Sequence, residues 1–435
     1  MSYRPRFHVS PPSGRLNDPN GMFLDGTDLH LFYQHDPGFP HAPKRTGWGH
    51  VVVDLTQPGR PRHFPDALYP DRPYDLHGCY SGGAVSDGDN IWLFYTGNLK
   101  QDGRRIPSQN RVRVDNLGPE GGFYIRDAAN PLIPNHAPGY TGHFRDPMLT
   151  QDPTGGWRMV LGAQREDETG AVVVYYSADL QNWEFGGELR FSGVAAEYVS
   201  GEAAEDVPGG YMWECPNLLR MRDTATGEDL DVLVICPQFP GRDECGYLVG
   251  RLRGLEFEVV RGYRPLDFGH AFYAPQLISY GEGQALMVGW MGLPGQDDTP
   301  TLSAEGWVHT LTLPRVLELA DATLSQAPVW PSVPGEVTFR TAEGQAPVVY
   351  GLFAGTGADA RECARVEVEG ASASVVRFGP GGEQEVRQAP TRPGSARLIA
   401  DSCAVEVFTG DGAAAFSVPV FAPNGQELYW RKLSE

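Results

Sequence analysis

Hydrophobic and polar positions along the chain fall into a coarse, repeated order. A polar residue followed by small or apolar ones leads into a turn rich in Gly, Asp or Gln, and then into a hydrophobic run that usually holds an aromatic. Five copies are visible: Asn17-Asp18-Pro19-Asn20-Gly21 before Leu31–Gln34, Ser81-Gly82-Gly83-Ala84 before Trp92–Tyr95, Arg145-Asp146-Pro147-Met148 before Trp157–Val160, Glu214-Cys215-Pro216-Asn217 before Val232–Ile235, and Tyr273-Ala274-Pro275-Gln276 before Leu286–Trp290. With Asp18, Ser81, Asp146, Glu214 and Tyr273 taken as equivalent, the steps are 63, 65, 68 and 59 residues. Such a step suits one four-stranded sheet with long loops. Five sheets arranged radially make a β-propeller, whose innermost strands converge on one axis. The expected fold is therefore all-β, with a five-bladed propeller over residues 1–320.

Residues 321–334 carry three prolines and a single aromatic, Trp330, and read as a linker. Beyond them, Ala364–Glu369 and Cys403–Phe408 alternate apolar and polar residues, the pattern of a half-buried antiparallel sheet. A C-terminal β-sandwich over 335–435 is expected.

Composition narrows the function. The 435-residue chain carries 54 glycines and 37 prolines, in keeping with many short strands joined by turns. Its 55 acidic and 35 basic side chains give a formal net charge of −20, an average field that repels polyphosphate and argues against nucleic acid as a partner. No apolar stretch approaches membrane-spanning length. Met1–Ser10 lacks the apolar core of a secretion signal, so a cytoplasmic location is expected. The six cysteines form no CxxC and no paired spacing with histidines. They read as buried reduced thiols rather than as a zinc site or a disulfide framework.

The candidate chemistry lies in the acids. A buried charge at the start of a strand has no structural use, yet carboxylates stand there in three copies, with proline one or two residues later. Glycosidic cleavage needs one ionised carboxylate and one protonated, and a third can hold sugar hydroxyls. Asp18, Asp146 and Glu214 fit that division of labour. Asn17, Gln34, Arg145 and Gln276 offer hydrogen-bond donors to a sugar, and Trp48, Tyr80 and Trp290 offer flat faces to its C–H surface. Spacing alone leaves retention and inversion of configuration equally open.

These residues resemble glycoside hydrolase family 32, the invertase, levanase and inulinase family. Asn17-Asp18-Pro19-Asn20-Gly21 matches its best-known element in full. The likeness continues through Phe32-Tyr33-Gln34, Trp48-Gly49-His50, Gly78–Gly82, Phe144–Pro147, Trp213–Pro216 and Phe272–Gln276, then Gly306-Trp307, Leu313-Pro314-Arg315 and Asp401–Glu406. Departures stand at Arg15-Leu16, where family members commonly carry Trp-Met, and at Ser81-Gly82-Gly83, where Ser-Gly-Ser is usual.

The resemblance implies a propeller followed by a sandwich, and release of terminal β-fructofuranosyl units from sucrose or related fructosides with retention. It would make Asp18 the nucleophile, Glu214 the acid/base and Asp146 the partner of the fructose 3- and 4-hydroxyls, with Asn17, Gln34, Ser81 and Arg145 completing the pocket. An acid/base must be held protonated, so a raised pKa is expected for Glu214 from negative neighbours and partial burial. No metal or cofactor is called for, and the partner is a small sugar. An inverting arabinan-type hydrolase and a non-catalytic sugar-binding propeller are the rival readings of the same scaffold. Arg15, Lys44, Arg45 and Arg165 are the candidate contacts for a phosphorylated substrate. Oligomeric state is left open.

Overall fold

The computed structural model describes residues 2–88, 90–193 and 207–434. Five antiparallel sheets follow one another along the chain. The first holds Gly14–Asp25, Asp28–Asp36, Gly47–Asp54 and Arg62–Leu68. The second holds Ala84–Asp87, Asn90–Gln101, Arg104–Asp115 and Phe123–Arg126, and the third holds Tyr140–Gln151, Trp157–Arg165, Gly170–Ser177 and Glu184–Glu188. The fourth is built on Met212–Arg222, Asp229–Phe239, Gly246–Arg253 and Glu256–Pro265, and the fifth on Tyr273–Tyr280, Gln284–Met291, Arg315–Ala320 and Thr323–Pro328. These are the propeller blades, and the ring closes where Trp307-Val308 pairs in parallel with Gly14-Arg15.

All five hydrophobic runs seen in the sequence fall in the second strand of a blade. Those strands are covered on both faces by neighbouring blades, which is why they read as continuous apolar stretches rather than alternating ones. Residues 321–334, expected as a linker, instead supply a strand. Thr323–Pro328 pairs with Arg315–Ala320 as the outer edge of the fifth blade, so the propeller continues to Pro328. A short tight strand next to prolines has the composition of a connector, and only its pairing distinguishes the two.

The C-terminal part is a two-sheet sandwich. Val337–Thr341, Gly394–Asp401, Ala404–Thr409 and Ala414–Pro419 face Gln384–Pro390, Ser372–Phe378, Arg361–Glu369, Val348–Ala354 and Leu428–Lys432. Its core of Leu352, Val366, Val375, Leu398, Val407 and Phe416 is separate from that of the propeller. A fully buried charge cluster joins the two parts. Arg315 reaches Asp267 at 2.8 Å and Glu406 at 2.6 Å, and His8 lies 2.9 Å from Asp401 and 3.0 Å from Glu406.

Candidate active site

Four of the five first strands break register at the same place, around a proline. The ladder is interrupted between Leu16 and Pro19, between Arg145 and Met148, between Glu214 and Asn217, and between Tyr273 and Gln276. Proline has no N–H to give to the ladder, and a bulge there re-aims its neighbours. The residue before proline takes a left-handed backbone in three of the four: φ is 67° at Asp146, 47° at Cys215 and 45° at Ala274. Conformations of this kind are costly for residues with a side chain and cluster at functional sites.

Aligned on these prolines, the strands give three tiers around the axis. Asn17, Arg145, Glu214 and Tyr273 form one, Asp18, Asp146, Cys215 and Ala274 the next, and Asn20, Met148, Asn217 and Gln276 a third. The equivalences drawn from even spacing were therefore off by one at Glu214 and Tyr273, which share a tier with Arg145 and not with Asp18.

Within the first tier, Arg145 donates to Glu214 Oε1 from Nη2 at 2.6 Å and from Nε at 3.2 Å, and the Tyr273 hydroxyl donates to Glu214 Oε2 at 2.8 Å. The nearest charge to Glu214 is thus a guanidinium, where negative neighbours had been expected. Burial, then the charge of Glu214, pushes the Tyr273 hydroxyl well above its usual pKa, so it remains a donor. Arg145 also donates to His143 Nδ1 at 3.2 Å. Burial, Arg145 and Arg105 lower the His143 pKa to about 4, which keeps that ring neutral and able to accept.

In the second tier, Ser81 donates from its hydroxyl to Asp18 Oδ2, and Asn17 donates its amide to Asp18 Oδ1 at 3.0 Å. Gln34 is buried and donates to Cys79 O at 3.0 Å and to Ser81 Oγ at 3.4 Å, which positions the serine. Asp146 accepts the Cys215 N–H at 3.0 Å. The Cys215 thiol lies 3.8 Å from Asp18 Oδ2 and 3.7 Å from Asp146 Oδ2, so one sulfur links two of the three acids and its own neighbour in sequence, Glu214, is the third. Burial, followed by Asp146 and Asp18, pushes that thiol far up and keeps its proton in place. Burial also raises the Asp146 pKa, to about 7. Glu214 and Asp18 add to the rise, and Arg145 opposes it.

Four other sequence candidates differ in their placement. Trp48 is fully buried, donates to Tyr80 O at 3.1 Å and packs on Phe32 and Tyr95. Trp290 is 2% exposed, set between the Tyr273 ring and the Arg15 guanidinium. Neither presents an open face to a sugar. Both were expected to because an aromatic that fills a core and one that floors a pocket look alike in sequence. Gln276 is a staple between blades: its Oε1 accepts from Met22 N at 2.7 Å and its Nε2 donates to Gly82 O at 2.7 Å. Tyr80 is half-buried beside Arg105, 5.9 Å from ring centroid to guanidinium carbon.

Of the phosphate candidates, Arg15 is paired with Asp297, Arg165 with Glu188, and Arg45 lies over Tyr69. Cys215, Tyr273 and His143 were not singled out as site residues. Cys215 stands one residue and Tyr273 two residues before a blade's proline, the signal that could have found them, whereas His143, four residues before Pro147, carries no such mark.

The fold and this convergence of acids define a carbohydrate-processing propeller with an appended sandwich, and the comparisons with known proteins identify which one. Residues 8–328 match the model of the glycosyl hydrolases family 32 N-terminal domain. Sucrose-6-phosphate hydrolases of Klebsiella pneumoniae and Bacillus subtilis are 38% and 35% identical over 75% of this chain, which spans 67% and 65% of their lengths. A GH32 β-fructofuranosidase of Bombyx mori, solved as a mutant in complex with sucrose, superposes with a TM-score of 0.76 at 27% identity, over 99% of this chain and 91% of that one. The exo-inulinase of Aspergillus awamori shares the fold, with a TM-score of 0.78 at 21% identity over 100% of this chain and 96% of that one.

The chain belongs to glycosyl hydrolases family 32. It is an enzyme of the glycosidase class.

Proposed function

We propose that the protein is a retaining β-fructofuranosidase acting on sucrose or a close relative of it, with Asp18 as nucleophile and Glu214 as acid/base. The observation that carries this reading is the grouping of Asp18, Asp146 and Glu214 about Cys215, at the inner ends of three blades, each acid with its own set of donors. In the first step Asp18 attacks the fructosyl C2 while Glu214 gives its proton to the departing oxygen. The carboxylate left on Glu214 is received by Arg145 and Tyr273, whose donors already point at its two oxygens. In the second step Glu214 takes a proton from water, which displaces Asp18 and frees fructose.

Ser81 and Asn17 orient Asp18 for attack. Asp146 holds two hydroxyls of the fructosyl ring through bonds that strengthen as positive charge grows there. The relatives' names, and the sucrose bound to the Bombyx mori structure, support the substrate class.

The test is release of glucose and fructose from sucrose, with Asp18→Asn as the control. Equal release that is lost in the variant supports the reading. Turnover that survives in Asp18→Asn overturns the assignment of the nucleophile, and binding without turnover in both proteins favours a sugar-binding propeller.

A further inference from the structure

A carboxamide has a donor end and an acceptor end of nearly the same shape, so its direction is set by what lies on either side of it. Asn17 stands between an arginine and the candidate nucleophile. Arg15 Nη1 donates to Asn17 Oδ1 at 2.6 Å, and Asn17 Nδ2 donates to Asp18 Oδ1 at 3.0 Å. A guanidinium only donates and an ionised carboxylate only accepts, so a single orientation of the amide satisfies both neighbours. Turned over, it would set its oxygen against the carboxylate and its nitrogen against the guanidinium.

Arg15 is itself held in place. Its Nε donates to Asp297 Oδ1 at 2.8 Å, and His309 Nε2 lies 2.8 Å from the same oxygen. Burial lowers the His309 pKa against the pull of Asp297, so at pH 7 the ring is neutral and carries its proton on Nε2, the nitrogen that faces the carboxylate. Burial works to raise the Asp297 pKa, and the bonds from His309 and then from Arg15 bring it down to about 2. His309 reaches this position through a left-handed backbone, with φ of 71°, one residue beyond the Trp307-Val308 pair that closes the propeller ring. A strained residue of this kind persists where its surroundings over-determine it.

The three side chains pack about Trp290. The Arg15 guanidinium carbon lies 5.3 Å from its ring centroid, and the His309 ring meets it edge-on at 5.1 Å. Asp297 and His309 both belong to the segment between Gln284–Met291 and Arg315–Ala320, so Asp18 in the first blade is tied through this line to the chain of the fifth. Trp290, which shows no open face to a sugar, and Arg15, which stands at a departure from the family's usual sequence, share one structural role.

We propose that Arg15 is a positioning residue for the nucleophile: held by Asp297, with His309 behind it, it fixes the Asn17 carboxamide so that the amide N–H orients Asp18. The inference rests on the fructoside-hydrolase reading above. It adds how the attacking carboxylate is kept in one orientation. Hydrogen bonds in a chain polarise one another, so the charge of Arg15 on Asn17 Oδ1 also strengthens the N–H that Asp18 accepts.

The experiment measures kcat and KM for sucrose, together with Tm, in the parent, in Arg15→Met, in Asp297→Asn, in Asn17→Ala and in Arg15→Met/Asn17→Ala. In Arg15→Met, kcat and kcat/KM are expected to fall by the same factor, roughly tenfold, the weight of one hydrogen bond to a charged group, with KM unchanged. Asp297→Asn keeps the shape of the side chain and weakens its hold on Arg15. It is expected to lose kcat in the same sense by a smaller factor, and it decides the matter if Arg15→Met does not fold. Because Arg15 acts through Asn17, the double variant is expected to match Asn17→Ala alone. Losses that multiply in the double variant, a KM that rises while kcat holds, or a fall in Tm with kcat at the parent's value overturns the positioning role and leaves the hydrolase reading standing. Absence of sucrose cleavage in the parent removes both.

Discussion

Replacing Arg315 by Met tests whether propeller and sandwich are one cooperative body. Its guanidinium is fully buried and makes bonds to Glu406 at 2.8 Å, Asp267 at 2.8 Å, Gln326 at 3.0 Å and Ser417 at 2.7 Å, so it links the fifth blade to the inner sheet of the sandwich. Met keeps much of the stem and removes the charge, which leaves Asp267 and Glu406 buried with one cation fewer. Breaking one side of a buried ion pair costs about 3–5 kcal/mol, most of it the penalty for the stranded partner. An unfolding entropy of ~2.1 cal/mol/K per residue gives about 0.9 kcal/mol/K over 435 residues. The expected drop in Tm is therefore about 3–6 °C, read by calorimetry at pH 7 as a single transition. In Arg315→Met/Glu406→Gln the loss should be smaller than the sum of the two single losses, because the second change removes a charge the first one stranded. A melting curve for Arg315→Met that overlies the parent's, or that splits into two transitions in the parent itself, would show that the buried charges do not couple the domains.

Three further outcomes follow from the same geometry. The His8 pKa is raised to about 9: burial opposes the rise, and the bonds to Asp401 and Glu406 outweigh it. That stabilisation is fully present below the unfolded value of 6.5 and is lost as pH climbs from there through about 9. The Tm gap between the parent and His8→Gln should accordingly be widest near pH 6 and close on the alkaline side, and a gap independent of pH would contradict the linkage. Asp401 and Glu406 are held below their usual range despite burial, by His8 for the first and by Arg315 and His8 for the second. Their contribution is present above the unfolded carboxylate range and is lost on acidification, so the joint is also expected to weaken at low pH. Gln276→Ala removes both ends of the staple from Met22 to Gly82 and should cost about 1–3 kcal/mol in stability, with KM for sucrose unchanged below the melting range. A raised KM with unchanged Tm would restore Gln276 as a sugar ligand.

How much of this was legible in the sequence depended on whether the cause was local. The second strands of the blades announced themselves through runs such as Trp92–Tyr95 and Val232–Ile235, because burial on both faces leaves few polar positions to interrupt them. The sandwich was visible as alternation, and its two clearest runs proved to lie in different sheets, in Arg361–Glu369 and Ala404–Thr409. The staple role of Gln276 was not visible, since its partners Met22 and Gly82 lie 254 and 194 residues away. Asn217 is alike: it donates to Pro275 O at 2.9 Å and accepts from Leu277 N at 2.9 Å. A polar residue beside a row of acids reads as a ligand until the neighbouring blade is in place.

The prolines connect what was legible to what was not. In sequence they marked the starts of strands, and their real effect is a bulge that moves the register by one residue just where the acids stand. Side chains on a regular strand alternate faces, so in an unbulged strand Glu214 and Cys215 would point apart. The bulge, with φ of 47° at Cys215, lets consecutive residues serve one centre: the carboxylate meets Arg145 and Tyr273 while the thiol and N–H meet Asp146. Even spacing could locate the acids but could not separate the tier of Glu214 from that of Asp18. That separation is what gives the two acids different partners, two donors of one carboxamide and one hydroxyl for Asp18, a guanidinium and a phenol for Glu214. Groups that must play unlike roles in one reaction need unlike surroundings, and on this fold a single bulged residue supplies the difference.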